Sequence, residues 1–205
     1  MISRNLLILA VGASLSSCLS LLPDPKPAPS IYRLATITQP VSPAANAEII
    51  RVERPAAAQL LSTNDIVVTD GGQKLSAIAR ANWAEVTPVL IQGVLIEALE
   101  SSPQFIGLDP TTGAKTETRV HLVVKNFEAN FDNGPQSAPL AVVHYSVTYA
   151  RSGDRRLLGT RTVRKTMRAS SVNVSSIVTA IEQANDAAMS DIVTWLETKK
   201  SQNRS

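Results

Sequence analysis

A single cysteine, Cys18, stands in a chain of 205 residues, so an intramolecular disulfide is excluded, and so is a multi-cysteine zinc or iron–sulfur site. Aromatic residues make up only 4% of the chain, which leaves aliphatic side chains to build its interior. Charge of one sign is scarce as well: 20 Lys and Arg against 17 Asp and Glu give +3, too small an excess for a dedicated nucleic-acid binder. No segment ends in Gly-Lys-Ser/Thr after a glycine-rich stretch, so the chain is not itself a P-loop ATPase, and no Gly-x-Ser-x-Gly elbow occurs. What is present is an apolar fraction of 44%, enough for a core and against wholesale disorder. The length suits one domain with a remainder, since domains most often hold roughly 100–150 residues.

The remainder lies at the N-terminus. Arg4 precedes an apolar stretch from Leu6 to Leu15, far short of the roughly 20 residues a bilayer span needs. It suits the apolar middle of a secretory signal. The stretch closes in Leu15-Ser16-Ser17-Cys18, which resembles the bacterial lipobox: an aliphatic residue, two small residues, then cysteine. That resemblance implies that residues 1–17 are a signal peptide. Cys18 would become the lipid-attachment residue, carrying a diacylglycerol on its thiol and an acyl group on its new amine. Two or more acyl chains hold a protein on a membrane where one does so only marginally. Removing residues 1–17, whose one charge is Arg4, takes the net charge from +3 to +2. The lipid, and not a basic surface, would therefore supply the anchor. Leu19, in place of an aspartate after the cysteine, resembles the signal for export to the outer membrane, the inner membrane being the alternative.

Pro23, Pro25, Pro27 and Pro29 alternate through 19–30. Proline fixes its own φ and disfavours helix at the residue before it. Residues 18–30 are therefore expected to be a lipidated cysteine followed by an extended tether, the twelve residues of 19–30 reaching roughly 37 Å. A domain over 31–200 and a flexible tail over 201–205 complete the expected organisation. Within the domain, Ile31-Tyr32-Arg33-Leu34, 48–52 and 65–69 read as strands, and 56–61 as a short helical turn. Residues 74–79 read as the second arm of a hairpin about Asp70-Gly71-Gly72. Thr87 is placed to cap a helix that has Pro88 at its first position and stops at Ser101-Ser102-Pro103. Strands over 118–131, 140–150 and 155–167 form an antiparallel meander. A long helix over 174–198 carries Ile177, Val178, Ile181, Ala184, Ala188, Ile192, Trp195 and Leu196 at helical spacing. The expected fold class is α+β, a mostly antiparallel sheet with two main helices packed on one face.

Few residues point to chemistry. His121 and His144 both fall in expected strands, and a membrane-anchored hydrolase, a minor alternative, would have to use one of them. Carboxylates are dispersed. Arg155, Arg156, Arg161, Arg164, Lys165 and Arg168 fall on both faces of their strand, as on a solvated edge where charge also opposes aggregation. Contact with an acidic partner or lipid headgroup is the other reading of that segment. Trp83 either packs between helix and sheet or lines a contact surface, since tryptophan is enriched at binding hot spots. Trp83, Arg155 and Arg156 are accordingly the candidate partner-facing residues. No catalytic residue, metal ligand or cofactor is expected beyond the lipid on Cys18.

The order of these motifs resembles the ABC-type transport auxiliary lipoproteins, the PqiC-like family. The resemblance begins with the lipobox cysteine, the proline-rich spacer and Ile31-Tyr32-Arg33-Leu34. It continues through Val52-Glu53-Arg54-Pro55, the Leu60-Leu61 pair, Ile66-Val67-Val68 and Ala81-Asn82-Trp83-Ala84-Glu85 before a helix. The closing helix to Leu196 completes it, so that it spans about residues 15–198. Members usually carry a tyrosine a few residues before that tryptophan, and 77–81 here offers none. The resemblance implies a non-enzymatic, lipid-anchored periplasmic accessory component of an intermembrane lipid transport system. Its partners would be a mammalian-cell-entry-domain protein and an ABC permease and ATPase, with a homo-oligomer compatible with the family and no nucleic acid involved. A lipid-binding carrier with an acyl-chain cavity is the alternative.

Overall fold

The computed structural model describes residues 28–35 and 39–204. The expected signal peptide, Cys18 and the tether up to residue 27 lie outside them. The elements are β1 (Ser30–Tyr32), β2 (Glu48–Val52), β3 (Ala56–Ala57), β4 (Asp65–Thr69), β5 (Leu75–Trp83), α1 (Thr87–Glu100), β6 (Phe105–Leu108), β7 (Thr118–Asn130), β8 (Leu140–Arg151), β9 (Leu157–Arg168) and α2 (Val174–Arg204). Short 3-10 turns fill Gln59–Ser62 and Pro110–Thr112.

β7 organises the sheet. Along one edge it pairs with β8, which pairs with β9, both antiparallel as expected of a meander. The other edge is shared by three short strands in succession: β2 at Thr118–Val120, β3 at Val123–Val124 and β4 at Ala129–Asn130, all parallel to it. β6 then pairs parallel with β2, β5 antiparallel with β4, and β1 parallel with β5. The long strands are antiparallel and the short additions mostly parallel, so the nine-stranded sheet is mixed, within the expected α+β class.

Both helices contact one another and the same side of the sheet, α1 over β6 and β2, α2 over β9 and β8. Period-two alternation puts Val120, Leu122 and Val124 of β7 and Val143, Tyr145, Val147 and Tyr149 of β8 beneath them, all buried. Each such aliphatic side chain contributes about 1.5–3 kcal/mol on full burial. From α1 come Ile91, Val94, Leu95, Ala98 and Leu99, and from α2 Ile177, Ile181, Ala184, Ala188, Ile192 and Leu196. Two glycines set how closely the helices approach. A Cβ on Gly107 of β6 would lie 3.2 Å from Ile96 Cα, and one on Gly159 of β9 3.1 Å from Trp195 Cζ2.

Three local expectations change. Thr87 is not the cap: Val86 holds that position, and the Thr87 hydroxyl donates to Thr63 O at 3.1 Å, pinning the start of α1 to the 3-10 segment. The turn expected over 56–61 is divided between β3 and a 3-10 turn, because Pro55 is followed by extended residues that join β7. The tail expected from residue 201 is helical to Arg204, as Lys200 Nζ is held by Gln104 O at 2.6 Å and Asn46 O at 3.3 Å and carries the last turn with it.

Candidate interaction surfaces

Trp83 ends β5 with 1% of its surface exposed, its ring 5.8 Å from that of Phe127. It offers no surface to a partner, and the packing alternative is the one the fold adopts. Arg155 and Arg156 are exposed in the turn between β8 and β9, where Arg155 takes a left-handed backbone with φ 59°. Asp154 Oδ1 accepts from Arg156 N at 3.1 Å and shapes that turn. Since β4 and β7 lie between β5 and β8, Trp83 and the two arginines are not brought together. Lipid attachment at Cys18 falls outside the described residues.

The basic segment divides by face, as alternation requires. Arg161 and Lys165, on the helix side of β9, both reach Asp191 of α2, Lys165 at 2.8 Å. Arg168 grips Asp132 with two hydrogen bonds of 2.5 and 2.8 Å, holding the Asp132 carboxyl below its usual range. Arg164 lies on the opposite, helix-free side, where His144 is its register partner.

Among the described residues, neither helix covers that side of the sheet. β7 contributes Arg119 and His121, β8 contributes His144, Ser146 and Thr148, and β9 contributes Thr160, Thr162 and Arg164. Two cations, Arg164 and Lys125, act on His144. Burial first, then the charges of Arg164 and Lys125, push the imidazole below its ordinary value, while Nδ1 lies 3.2 Å from Asn126 Oδ1. Glu128, mostly buried beside them, is pushed upward by burial against the opposing help of Asn126 and Arg164. At the other end of the face, Glu53, Arg54, Arg119, His121 and Thr148 line a hollow of about 440 Å³. Glu53 and Arg54 arrive there because Glu53 N donates to Val120 O at 2.9 Å and carries the chain along β7 past the end of β2. The two histidines stand on separate strands at separate positions of this face, and the register sets no carboxylate directly opposite either: His121 faces Thr148, and His144 faces Asn126 and Arg164.

A second surface runs between the helices. Val94, Ala98, Met189 and Val193 wall a groove of about 390 Å³ whose polar rim includes Asp186, Ser190 and Glu197. Asp186 Oδ2 is buried without a hydrogen-bond partner, and burial, with Glu182 beside it, raises the carboxyl above its ordinary range. Under the sheet's opposite end, Glu48 accepts hydrogen bonds from Thr118 Oγ1 at 2.5 Å and from the Tyr149 hydroxyl. All three side chains are buried, and the arrangement ties β2, β7 and β8 together. Nothing in the sequence announces it, because its members lie up to 101 positions apart. Among the described residues, no three His, Cys, Asp or Glu side chains are grouped to hold a metal ion. No described helix is long and apolar enough to cross a membrane.

Residues 32–193 match the model of the family described as ABC-type transport auxiliary lipoprotein component. In structure the chain is similar to protein XCC0632 from Xanthomonas campestris, assigned to family DUF330. The TM-score is 0.74 at 21% identity, with 85% of this chain and 99% of that one covered. An uncharacterised protein superposes with a TM-score of 0.67 at 15% identity, covering 83% of this chain and 99% of its own. At these identities the likeness is one of fold. No curated protein matches the chain.

Proposed function

Because the chain belongs to the ABC-type transport auxiliary lipoproteins, we propose that it is the lipid-anchored periplasmic accessory component of an ABC-type system that moves lipids between the inner and outer membranes. The observation that carries this reading is the family match over residues 32–193, joined to a lipobox-like sequence ending at Cys18. Cys18, diacylglycerated and N-acylated, is the anchor, and the leucine that follows it directs the protein to the outer membrane. The folded domain then meets a mammalian-cell-entry-domain protein and, through it, the permease and ATPase. Such a role needs surfaces rather than a catalytic centre, and both the helix-free sheet face and the inter-helix groove are available for it.

Two measurements test the proposal. The full-length protein should fractionate with the outer membrane and resist high-salt washing, while Cys18→Ala should be released or remain unprocessed. A wash-resistant, unchanged Cys18→Ala fraction would remove lipidation. Affinity capture of the wild type should bring down the mammalian-cell-entry-domain protein and the permease, and deletion should weaken the outer-membrane barrier. Capture that recovers neither of those partners would sink the transport reading.

A further inference from the structure

Arg51 and Arg119 are register partners on β2 and β7, so their side chains leave adjacent strands on the same, helix-free side of the sheet. Like charges held side by side on a sheet repel. The ion pairs among the described residues join Arg161 and Lys165 to Asp191 and Arg168 to Asp132, and none takes up Arg51, Arg54 or Arg119. Arg51 Nε is buried without a hydrogen-bond partner, and Nη2 reaches Ala114 O only at 3.5 Å. Arg51 does not line the neighbouring hollow, so it adds positive charge beside that hollow without offering this nitrogen to a ligand. Beside this pair lies the hollow of about 440 Å³ lined by Arg54, Arg119, His121, Thr148 and a single carboxylate, Glu53.

We propose that this hollow binds the phosphate of a phosphoethanolamine headgroup, with Arg54 and Arg119 on the phosphate and Glu53 on the ammonium. Guanidinium groups present paired N–H donors that match phosphate oxygens. The Thr148 hydroxyl and the His121 ring add hydrogen-bonding capacity on the same wall. Glu53 decides between the two sources of a phosphate group. Free phosphate is repelled by a carboxylate on the wall, whereas a headgroup carrying both signs is complementary to the whole lining. The cations Lys125 and Arg164, farther along the face near His144, favour approach of the anionic part. The site rests on these charges and the hollow; naming a lipid as the source of the headgroup rests on the transport reading.

The test is a titration of the full-length protein in neutral detergent and phosphate-free buffer, followed by the ring resonances of His121. Three probes are used: glycerophosphoethanolamine, glycerophosphoglycerol and inorganic phosphate. Glycerophosphoethanolamine should give a saturable shift, with binding at least about tenfold tighter than the other two. Arg119→Gln and Arg54→Gln should each weaken it about tenfold or more while the thermal midpoint stays within a few degrees of wild type. Glu53→Gln should abolish the preference over glycerophosphoglycerol. No saturable shift with any probe, or affinities unchanged in both arginine variants, overturns the site. Inorganic phosphate binding as tightly as the headgroup overturns the lipid assignment. Partner capture separates this proposal from the transport reading: headgroup binding by a wild type that captures no permease complex upholds the site and sinks only that reading.

Discussion

Tyr149 joins three elements through one side chain. Its ring lies edge-on to Trp195 of α2, at 6.3 Å between centroids, while its OH donates to Glu48 of β2. Burial first, then Glu48, raises its ionisation well above the ordinary tyrosine range, so the hydroxyl stays a donor. Tyr149→Phe keeps the ring but leaves the buried Glu48 carboxylate with one donor fewer. We expect a loss of about 1–3 kcal/mol in urea unfolding, and an unchanged midpoint would show that Thr118 alone satisfies Glu48. The linkage has a definite sign. The folded state holds this proton more tightly than the unfolded chain, so the stabilisation is complete below the unfolded value near 10 and falls as pH rises above it. Asp186 follows the same sign in a lower pH range, as a carboxyl the fold would prefer uncharged. With its ionisation raised by burial and by Glu182, the folded protein binds a proton that the unfolded chain releases, and stability declines as pH rises above about 4. Asp186→Asn should therefore raise the thermal midpoint at neutral pH, and that gain should vanish below about pH 4. A variant that is less stable at pH 7 would mean that an ionised Asp186 is satisfied by a donor absent from its present surroundings.

At the scale of elements, close helix–sheet approach depends on what is missing from two strand positions. At Gly107 the three nearest neighbours are Ile96 Cα, Leu99 Cδ1 and Ile96 O, and the two backbone atoms of α1 cannot step aside without moving the helix. Gly107→Ala should cost about 1–3 kcal/mol by overpacking, with Gly159→Ala costing less because one of its two closest neighbours is the flexible end of Lys199. Equal stabilities of both variants and wild type in chemical denaturation would refute this. β2 and β4 were legible to the residue, since each is a short β-branched or alternating run bounded by turn formers. β6 carries no local strand signal: Phe105-Ile-Gly-Leu is four residues long and is stabilised by pairing with β2, 57 positions earlier by register. Thr87 misled because its composition as a cap is right, while its hydroxyl is drawn to a carbonyl 24 positions away. The parallel joins of β2, β3 and β4 to β7 were hidden for the same reason, their register being chosen by the core and not by adjacent turns.

The whole molecule presents a sheet whose two faces follow different chemistry. One is consumed by two helices and an aliphatic core. The other alternates with it residue by residue, so Arg119 and His121 could be assigned to a polar side from β7 alone, whereas their meeting with Glu53 and Arg54 depends on a parallel register no local pattern encodes. The most legible functional feature, Cys18 with its spacer, precedes the described domain. If lipid on Cys18 is the anchor, the alternating prolines of 19–30 set how far the sheet face and groove stand from the membrane, at most roughly 37 Å for an extended spacer. Deleting residues 20–27, with Leu19 and the sequence before it kept, should leave acylation and the thermal midpoint unaltered. It should also draw the domain inward by about 25 Å, eight residues at about 3.1 Å each. A partner anchored in the opposite membrane must then be reached across a wider gap, so capture of the mammalian-cell-entry-domain protein should fall sharply. It should return when an unrelated proline-rich segment of equal length is inserted. Undiminished capture by the shortened chain would show that reach is not what the spacer provides, and that the docking surface works directly against the membrane.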